Sequence, residues 1–528
     1  MRSHLIPINT LFLVILCFSL SSIRSPWLFL SLLVGFSFLL SFFFSTWLVA
    51  GGFAWRRFCG NTKTAPGPIG WPILGCLPIM GPLAHRKLAG LAETHDARRL
   101  MAVSLGATPV IVSSRPDTAR EILHGPAFCD RPVKAAARGL MFERAIGFAP
   151  AGDHWRHLRH IAATNMFSPR KVAALEGLRR RAADSMVGRV WREMEEREKV
   201  VVREVLQEGS LETMVKSVFG ESLGEEDRVE LVKMVKEGYE LIGKFNLEDY
   251  FPLMGGLLDF YGVGRRCNKL GDRVRALVGK IVEERRVKGD YNMQHDFLSL
   301  MLTLPKEESL RDSDIIAVLW EMIFRGADVV AVLLEWIMAR LVLHPNIQAR
   351  IQAELDSVIG TRPVSDAEIP KLRYLQAVVK ETLRMHPPGP LLSWARLAVC
   401  DAHVDKFFVP AGTTAMVNMW AITHDGSIWK DPWAFRPERF LEEDVSIMGS
   451  DLRLAPFGSG RRVCPGRVLG LTTVHLWLAR LAQEYIWSAG RPVQLSERLQ
   501  LSMEMKRPLV CRVVRRSRTS CEVGHDEM

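Results

Sequence analysis

Pro456-Phe457-Gly458-Ser459-Gly460-Arg461-Arg462-Val463-Cys464-Pro465-Gly466 decides how this chain is read. The stretch is a glycine-rich loop, and a helix is expected directly after it, from about Arg467 to Glu484. Gly458, Gly460 and Gly466 let the backbone turn tightly and approach a ligand. Pro465 suits the first helical position. The positive end of the helix then faces the Cys464 sulfur and favours thiolate over thiol. Arg462 stands two residues earlier and can reach an anionic group. A thiolate, a close-approach loop and an arginine together suit haem, with sulfur on iron and guanidinium on propionate.

Working outward, the body of the chain reads as mainly α with small β sheets at one side. Helical patterns cover Pro169–Arg197, Glu225–Ile242 and Val274–Val287. Strand-like segments are Leu100–Leu105, Pro109–Ser113, Phe407–Val409 and Leu509–Val514. A helix over Ser313–Leu343, capped by Asp312 or Ser313 and stopped by His344-Pro345, is apolar on nearly every face. Glu321, Arg325, Asp328, Glu335 and Arg340 argue against a membrane span, so the helix is expected to run through the core. No repeat or linker interrupts residues 80–515.

The N-terminal region is different. Leu5–Ile23 is mostly apolar, and Trp27–Ala50 is an uncharged run, about 36 Å long as a helix. That spans a hydrocarbon core of about 30 Å. Trp55, Arg56 and Arg57 follow, as at the cytoplasmic end of a span. The run is too long for a cleaved signal peptide. The expected organisation is a transmembrane anchor over 1–57, with one span at 27–50 and a second at 5–23 left open. A proline-rich hinge over 58–75, one domain over 76–515 and a disordered tail over 516–528 follow.

The chain has 528 residues, 48% hydrophobic and 24% charged, with a net charge of +11. A basic balance fits an anionic membrane surface or an acidic protein partner. No arginine-rich arm or zinc-finger spacing is present, so nucleic acid is not an expected partner. Nine cysteines, an odd count without a C-x-x-C pair, argue against a disulfide framework or structural zinc. Gly262-Val263-Gly264 is a lone G-x-G and carries no nucleotide-site weight.

Three further motifs join the cysteine loop in order: Trp155-Arg156-His157-Leu158-Arg159, Glu381-Thr382-Leu383-Arg384, and Pro437-Glu438-Arg439-Phe440. With Phe457–Gly466, which fits F-x-x-G-x-R-x-C-x-G at every fixed position, they resemble the cytochromes P-450 from about residue 64 onward. The wording of Asp130-Arg131-Pro132-Val133, Pro387–Arg396 and Leu452–Gly458 resembles the plant 78A subfamily. The resemblance implies haem b (iron protoporphyrin IX), with Cys464 as axial iron ligand and Phe457, Gly458 and Gly466 around it. It implies propionate contacts from Trp155, Arg159 and Arg462, with Arg396 as a fourth. It implies a structural Glu381–Arg384–Arg439 cluster that fixes the loop before Cys464; spacing alone is equally consistent with a solvated surface pair. His386 and His475 are not expected as ligands.

The resemblance also implies a monooxygenase that inserts one oxygen atom from O2 into a lipophilic, fatty-acid-like substrate, in a subfamily associated with plant organ growth. Electrons would come from NADPH through the membrane-bound NADPH–cytochrome P-450 reductase. The location would be the endoplasmic reticulum membrane, with the catalytic domain facing the cytosol. Arg461, Arg467 and Arg156 are candidates for a basic docking face, or merely a basic surface. Substrate is expected to meet Arg138–Met141, Phe324–Asp328, Leu391–Trp394 and Ser502–Glu504.

One departure stands out. The family carries A/G-G-x-D/E-T on its central helix, where acid and threonine hydroxyl help deliver protons to oxygen. Here the stretch is Arg325-Gly326-Ala327-Asp328-Val329. Asp328 is in place, as is Gly326, which would let the helix widen over the haem. Val329 keeps the threonine volume and loses its hydroxyl. Either water or a substrate hydroxyl replaces it, or oxygen chemistry is impaired. In the second case the chain would be an O2-independent hydroperoxide lyase or isomerase, or a haem-binding protein without turnover. The intact cysteine loop favours the first. Arg325 can face a substrate carboxylate or pair with Glu321 four residues back.

Overall fold

The structure is a computed structural model that describes residues 27, 30–31, 33–38, 47–58, 63–221, 223–289, 296–392 and 395–517. The expected second span, 5–23, lies outside these residues. So do part of the first span, part of the hinge, Ser393, Trp394 and the tail from 518. Among the described residues no helix is long and apolar enough to cross a membrane.

One helix, Asp312–Leu343, organises the rest. Residues 314–324 and 331–342 of it are buried almost without exception, but Arg325, Gly326, Asp328, Val329 and Val330 in its middle are not. Its N-terminal half joins Trp320 and Phe324 to one apolar core. Its C-terminal half joins Trp336 to a second core containing Trp477 and Tyr485. The two cores therefore meet this helix on either side of a gap in its middle. Neither Asp312 nor Ser313 caps it. The N-cap is Arg311 with no side-chain bond, and Asp312 and Asp314 instead favour the positive end from inside the first turn. Leu343 is the last helical residue, and Pro345 opens the next helix at its first position, where its missing N–H costs nothing.

Other boundaries moved for local reasons. Pro169–Arg197 is two helices, Pro169–Ala174 and Glu176–Arg197, separated at Leu175. The helix expected over Val274–Val287 begins earlier, at Val263, and ends at Lys288. The Asp259 carboxylate accepts from the Val263 and Gly264 N–H groups at 2.6 and 3.1 Å, which satisfies the new helix start. The lone G-x-G is thus a helix terminus. Glu225–Ile242 and Arg467–Glu484 match expectation.

The sheets are small and lie to one side, as expected. The largest has four strands in the order Met101–Leu105, Thr108–Ser113, Thr414–Val417 and Arg396–Leu397. The first pair is antiparallel, with Ala102 opposite Ile111. The Thr108–Ser113 strand runs parallel to Thr414–Val417, and Arg396 stands opposite Ala415. The proline-rich segment is laid along this sheet. Ala102 N–H donates to Pro66 O at 2.9 Å, and Cys76 N–H to Ser104 O at 2.7 Å.

Candidate functional site

The gap beside the central helix is a cavity of about 290 Å³. One wall is the cysteine loop, with Phe457, Gly458, Cys464 and Gly466. The opposite wall is Glu321, Met322, Arg325, Gly326, Val329 and Val330 of the central helix. Between them the rim carries Arg131, Arg159, Arg396 and Arg462. An apolar group that also carries anionic substituents is what this lining accommodates.

The loop is held by its own backbone. Cys464 N–H donates to Phe457 O at 2.9 Å, so the cysteine sits across the mouth of a closed turn. Gly458 and Gly460 have φ of +71° and +66°, a region costly for side-chain-bearing residues. A Cβ on Gly460 would lie 2.2 Å from Leu123 O. One on Gly458 would meet nothing within 4 Å and would project into open space. Gly466 differs from expectation: its φ is −86°, so the turn does not require glycine there. Pro465 does not take the first helical position either, because Gly466 is the N-cap and Arg467 begins the helix.

The Cys464 thiol is also not made acidic by the protein. Burial pushes it up and is the largest effect; Arg325, the Gly466 N–H, Arg159 and Arg467 pull in the other direction. The Gly466 N–H at the helix start opposes burial but is not the largest effect. A metal cation supplies the missing charge, since coordination deprotonates a thiol outright. Among the described residues no cluster of three His, Cys, Asp or Glu could hold a free metal ion. A lone sulfur facing a cavity suits a metal already carried in a macrocycle.

The arginines test the fit of that macrocycle. Arg462 Nε donates to Cys129 O at 2.9 Å and its Nη2 to Ala149 O at 2.7 Å. Arg396 Nη2 donates to Ser459 O at 3.1 Å. The Nη1 atoms of both are buried and have no hydrogen-bond partner among the described residues. Burial, and then repulsion by Arg462 and Arg159, holds Arg396 down to about 9. Burial holds Arg462 down to about 10. Orphaned buried donors on mutually repelling cations fit two carboxylates. Arg159, whose Nη1 donates to Val463 O at 3.0 Å, lies on the same rim.

Trp155 is placed differently from expectation. It is not part of the cavity wall. Its indole N–H donates to Ile146 O at 3.1 Å. Its ring instead carries the Arg462 guanidinium, 4.2 Å from the ring centroid. Trp155 thus supports the Arg462 guanidinium with its ring, while its own N–H is taken by Ile146 O.

On the opposite wall the ambiguity of Arg325 resolves toward Glu321, with Arg325 Nη1 3.1 Å from Glu321 Oε1. Glu321 is buried and also accepts twice from Gly147 N–H, at 3.0 Å each. The expected widening of the helix at Gly326 is not seen; Asp312–Leu343 is α-helical throughout. Gly326 has a different use, because a Cβ there would lie 2.6 Å from the Met214 methyl. Val329 faces the cavity, and Asp328 is not in its wall. The Asp328 carboxyl is raised to about 6, chiefly by burial; a Ser502 hydrogen bond and Arg203 oppose this and Glu504 adds to it.

The Glu381 cluster forms. Arg384 Nε and Nη2 bond the two Glu381 oxygens at 2.8 Å each, and Arg439 Nε lies 3.1 Å from Glu381 Oε2. All three are buried. The two guanidiniums donate onward to the carbonyls of Thr423, Lys430, Asp431, Pro432 and Ala434. The cluster therefore holds 423–439, the stretch of chain that leads toward the cysteine loop. His386 accepts from Arg340 and stacks on Trp336 at 3.9 Å, a structural role as expected.

Some wall residues carried no motif. Ser210, Thr213, Met214 and Ser217 come from the helix Val202–Phe219, whose polar positions look like an ordinary amphipathic face. Arg131 is quoted within Asp130–Val133, but nothing in its spacing marks it as a cavity residue. Of the expected substrate contacts, the central helix, Leu392 and Ser502 line the cavity; Arg138–Met141 do not.

Residues 65–512 match the family model described as Cytochrome P450. The chain is 51% identical over 486 residues to Cytochrome P450 78A5 of Arabidopsis thaliana, covering 89% of this chain and 93% of that one. It is 50% identical over 440 residues to Cytochrome P450 78A1 of Zea mays, covering 80% of each. Sugiol synthase of Salvia miltiorrhiza is more distant, 33% identical over 473 residues, or 87% of this chain and 94% of that one. A cysteine loop, a cation rim and a central helix enclosing one cavity agree with this similarity: the chain belongs to the cytochrome P450 family, with haem b as its cofactor.

Proposed function

We propose that this chain inserts one oxygen atom from O2 into a lipophilic substrate, using electrons from NADPH through a membrane-bound cytochrome P450 reductase. The observation that carries this reading is the single cavity bounded by Cys464 on one side and the central helix on the other. Haem b, when bound, supplies the redox centre at which dioxygen is reduced. Cys464 would bind the haem iron in this reading. Arg396 and Arg462 hold the propionates, Arg159 supports them, and Trp155 holds Arg462 in place. Substrate lies against Met214, Met322, Val329, Val330, Leu333 and Leu392, an apolar surface that excludes water and favours a fatty-acid-like molecule.

The endoplasmic reticulum membrane, with the domain in the cytosol, is the location we propose. Two exposed apolar stretches support it: Trp71, Ile73 and Leu74, and Leu257, Phe260 and Tyr261. The first adjoins the turn at Gly106-Ala107, whose Gly106 N–H donates to Leu74 O. Runs of solvent-exposed apolar side chains fit a lipid surface. Arg461 and Arg156 are exposed beside the cysteine loop and fit an acidic reductase surface. Val329 keeps one alternative open, rearrangement of a hydroperoxide without O2.

Reconstitution with reductase tests the reading. Product is expected with NADPH and O2 and not with hydroperoxide alone; the reverse result would establish the alternative. A Cys464→Ala variant is expected to lose the red-shifted ferrous–carbonyl band of thiolate ligation. Persistence of that band would remove Cys464 from the role.

A further inference from the structure

The hydroxyl lost at Val329 has a counterpart elsewhere in the fold. Ser502 lies in the turn between the paired strands Glu497–Leu499 and Met503–Met505. It is buried, yet it lines the same cavity as Val329. Its hydroxyl is near enough to the Asp328 carboxyl to pull it down against burial. Asp328 itself does not line the cavity; Ser502 both acts on this acid and lines the cavity, whereas the cavity-lining Ser210 gives its hydroxyl to Ala327 O at 2.6 Å.

The turn cannot drift from this position easily. Met503 N–H donates to Pro388 O at 2.8 Å, and Met503 O accepts from Trp336 Nε1 of the central helix at 2.8 Å. The helix that carries Asp328 thus also grips the residue next to Ser502. On the far side a polar network leads outward. Glu504 is 3.3 Å from Arg203 and is bonded by Arg498, which is partly exposed. Arg203 Nε in turn meets the buried Glu335 at 2.8 Å.

We infer that Ser502 replaces the missing threonine as the proton-relay hydroxyl of this chain, coupling Asp328 to the cavity. The inference rests on the monooxygenase reading above. In the step, the Ser502 O–H proton passes to dioxygen undergoing reduction while Ser502 Oγ takes the Asp328 proton. Ser502 ends unchanged, Asp328 ends as carboxylate, and solvent reprotonates it from the Glu504–Arg498 edge. Both electrons of the reduction come from NADPH through the reductase.

The charged and titratable groups facing Asp328 are few. Glu504 raises its carboxyl and Arg203 lowers it. Tyr239, on the helix Glu225–Ile242, also feels Asp328, but burial pushes its phenol well up and its hydroxyl donates to Phe324 O at 2.7 Å. A carboxyl near 6 can both release and regain a proton at cytosolic pH.

The test has two arms on the haem-loaded enzyme. Infrared pH titration of the resting enzyme reads the protonated carboxyl band that Asp328→Asn removes, and needs no turnover. Ser502→Ala is expected to raise its midpoint, because a bond favouring the carboxylate is lost. Ser502→Thr is expected to restore it. In the second arm, reconstituted Ser502→Ala is expected to release several-fold more peroxide per NADPH. Ser502→Thr and the double variant Ser502→Ala, Val329→Thr should recover coupling. An unchanged midpoint, or unchanged peroxide yield in Ser502→Ala, would overturn the relay. A wild-type enzyme that consumes no NADPH with reductase would overturn the monooxygenase reading itself, on which the infrared midpoint does not depend.

Discussion

Arg462 lies over the indole ring of Trp155, with its guanidinium carbon 4.2 Å from the ring centroid. The same indole is fixed by its N–H bond to Ile146 O. The pair makes Trp155 a support for the Arg462 side chain, the residue proposed to hold a propionate. Trp155→Phe keeps a face for the cation and loses the N–H bond, a change of about 1 kcal/mol. Trp155→Ala removes both and leaves a cavity, at a cost of about 3–5 kcal/mol. Haem loss to an excess of a haem scavenger should accelerate in the order wild type, Phe, Ala. Equal rates for Phe and Ala would mean the ring face does not matter.

Asp328 predicts a pH-dependent stability effect. Its ordinary value is 3.8 and in the fold it rises to about 6. Between those values the folded chain binds more protons than the unfolded one. The native state therefore loses stability as pH climbs through about 6. Asp328→Asn removes this loss and should stabilise at pH 8 by up to about 3 kcal/mol, and by less at pH 5.5. Melting temperatures of both proteins at both values check this. A shift independent of pH would contradict it. The same variant should be less coupled, a trade of stability against activity common at working sites.

Glu381 is bonded to two buried guanidiniums and to the Arg436 N–H at 2.9 Å. Glu381→Ala leaves both cations buried without their partner, a cost of about 3–5 kcal/mol. Little soluble haem-loaded protein is expected, measured as Soret absorbance per unit of expressed chain. Normal loading would show that 423–439 holds its course without the cluster.

Gly147 is required by contact, not by conformation. A Cβ there would lie 2.0 Å from Arg325 Nη1 and 2.2 Å from Glu321 Oε1. Gly147→Ala should force the pair apart and alter the cavity wall at Arg325. Weaker substrate-induced spectral shifts are expected, by several-fold, with the ferrous–carbonyl band retained. Unchanged substrate affinity would show that the Glu321–Arg325 pair does not shape the site.

Much of the architecture was legible because local chemistry wrote it. The helix stop at His344-Pro345, the apolar stretch before it, and Arg467–Glu484 all follow from backbone and hydrophobic patterns within a few residues. Helix starts were less legible. The satisfying group for Val263 is the side chain of Asp259, in a segment whose pattern gave no periodicity. At Asp312 the favourable interaction is with the helix end as a whole, which does not single out a capping residue.

The residue order alone determined that Cys464 occupies a closed glycine-rich turn before a helix, and that Glu381 and Arg384 share a helix face. Those are short-range relations, set by backbone geometry. It could not determine which side chains converge from distant segments. Trp155 met Arg462 rather than the cavity, and the thiol was raised by burial despite the helix behind it. Ser502 reached Asp328 from a turn far along the chain. Desolvation, cation–ring contact and long-range hydrogen bonds depend on distances across the fold, and those exist only once the two cores have packed on the central helix.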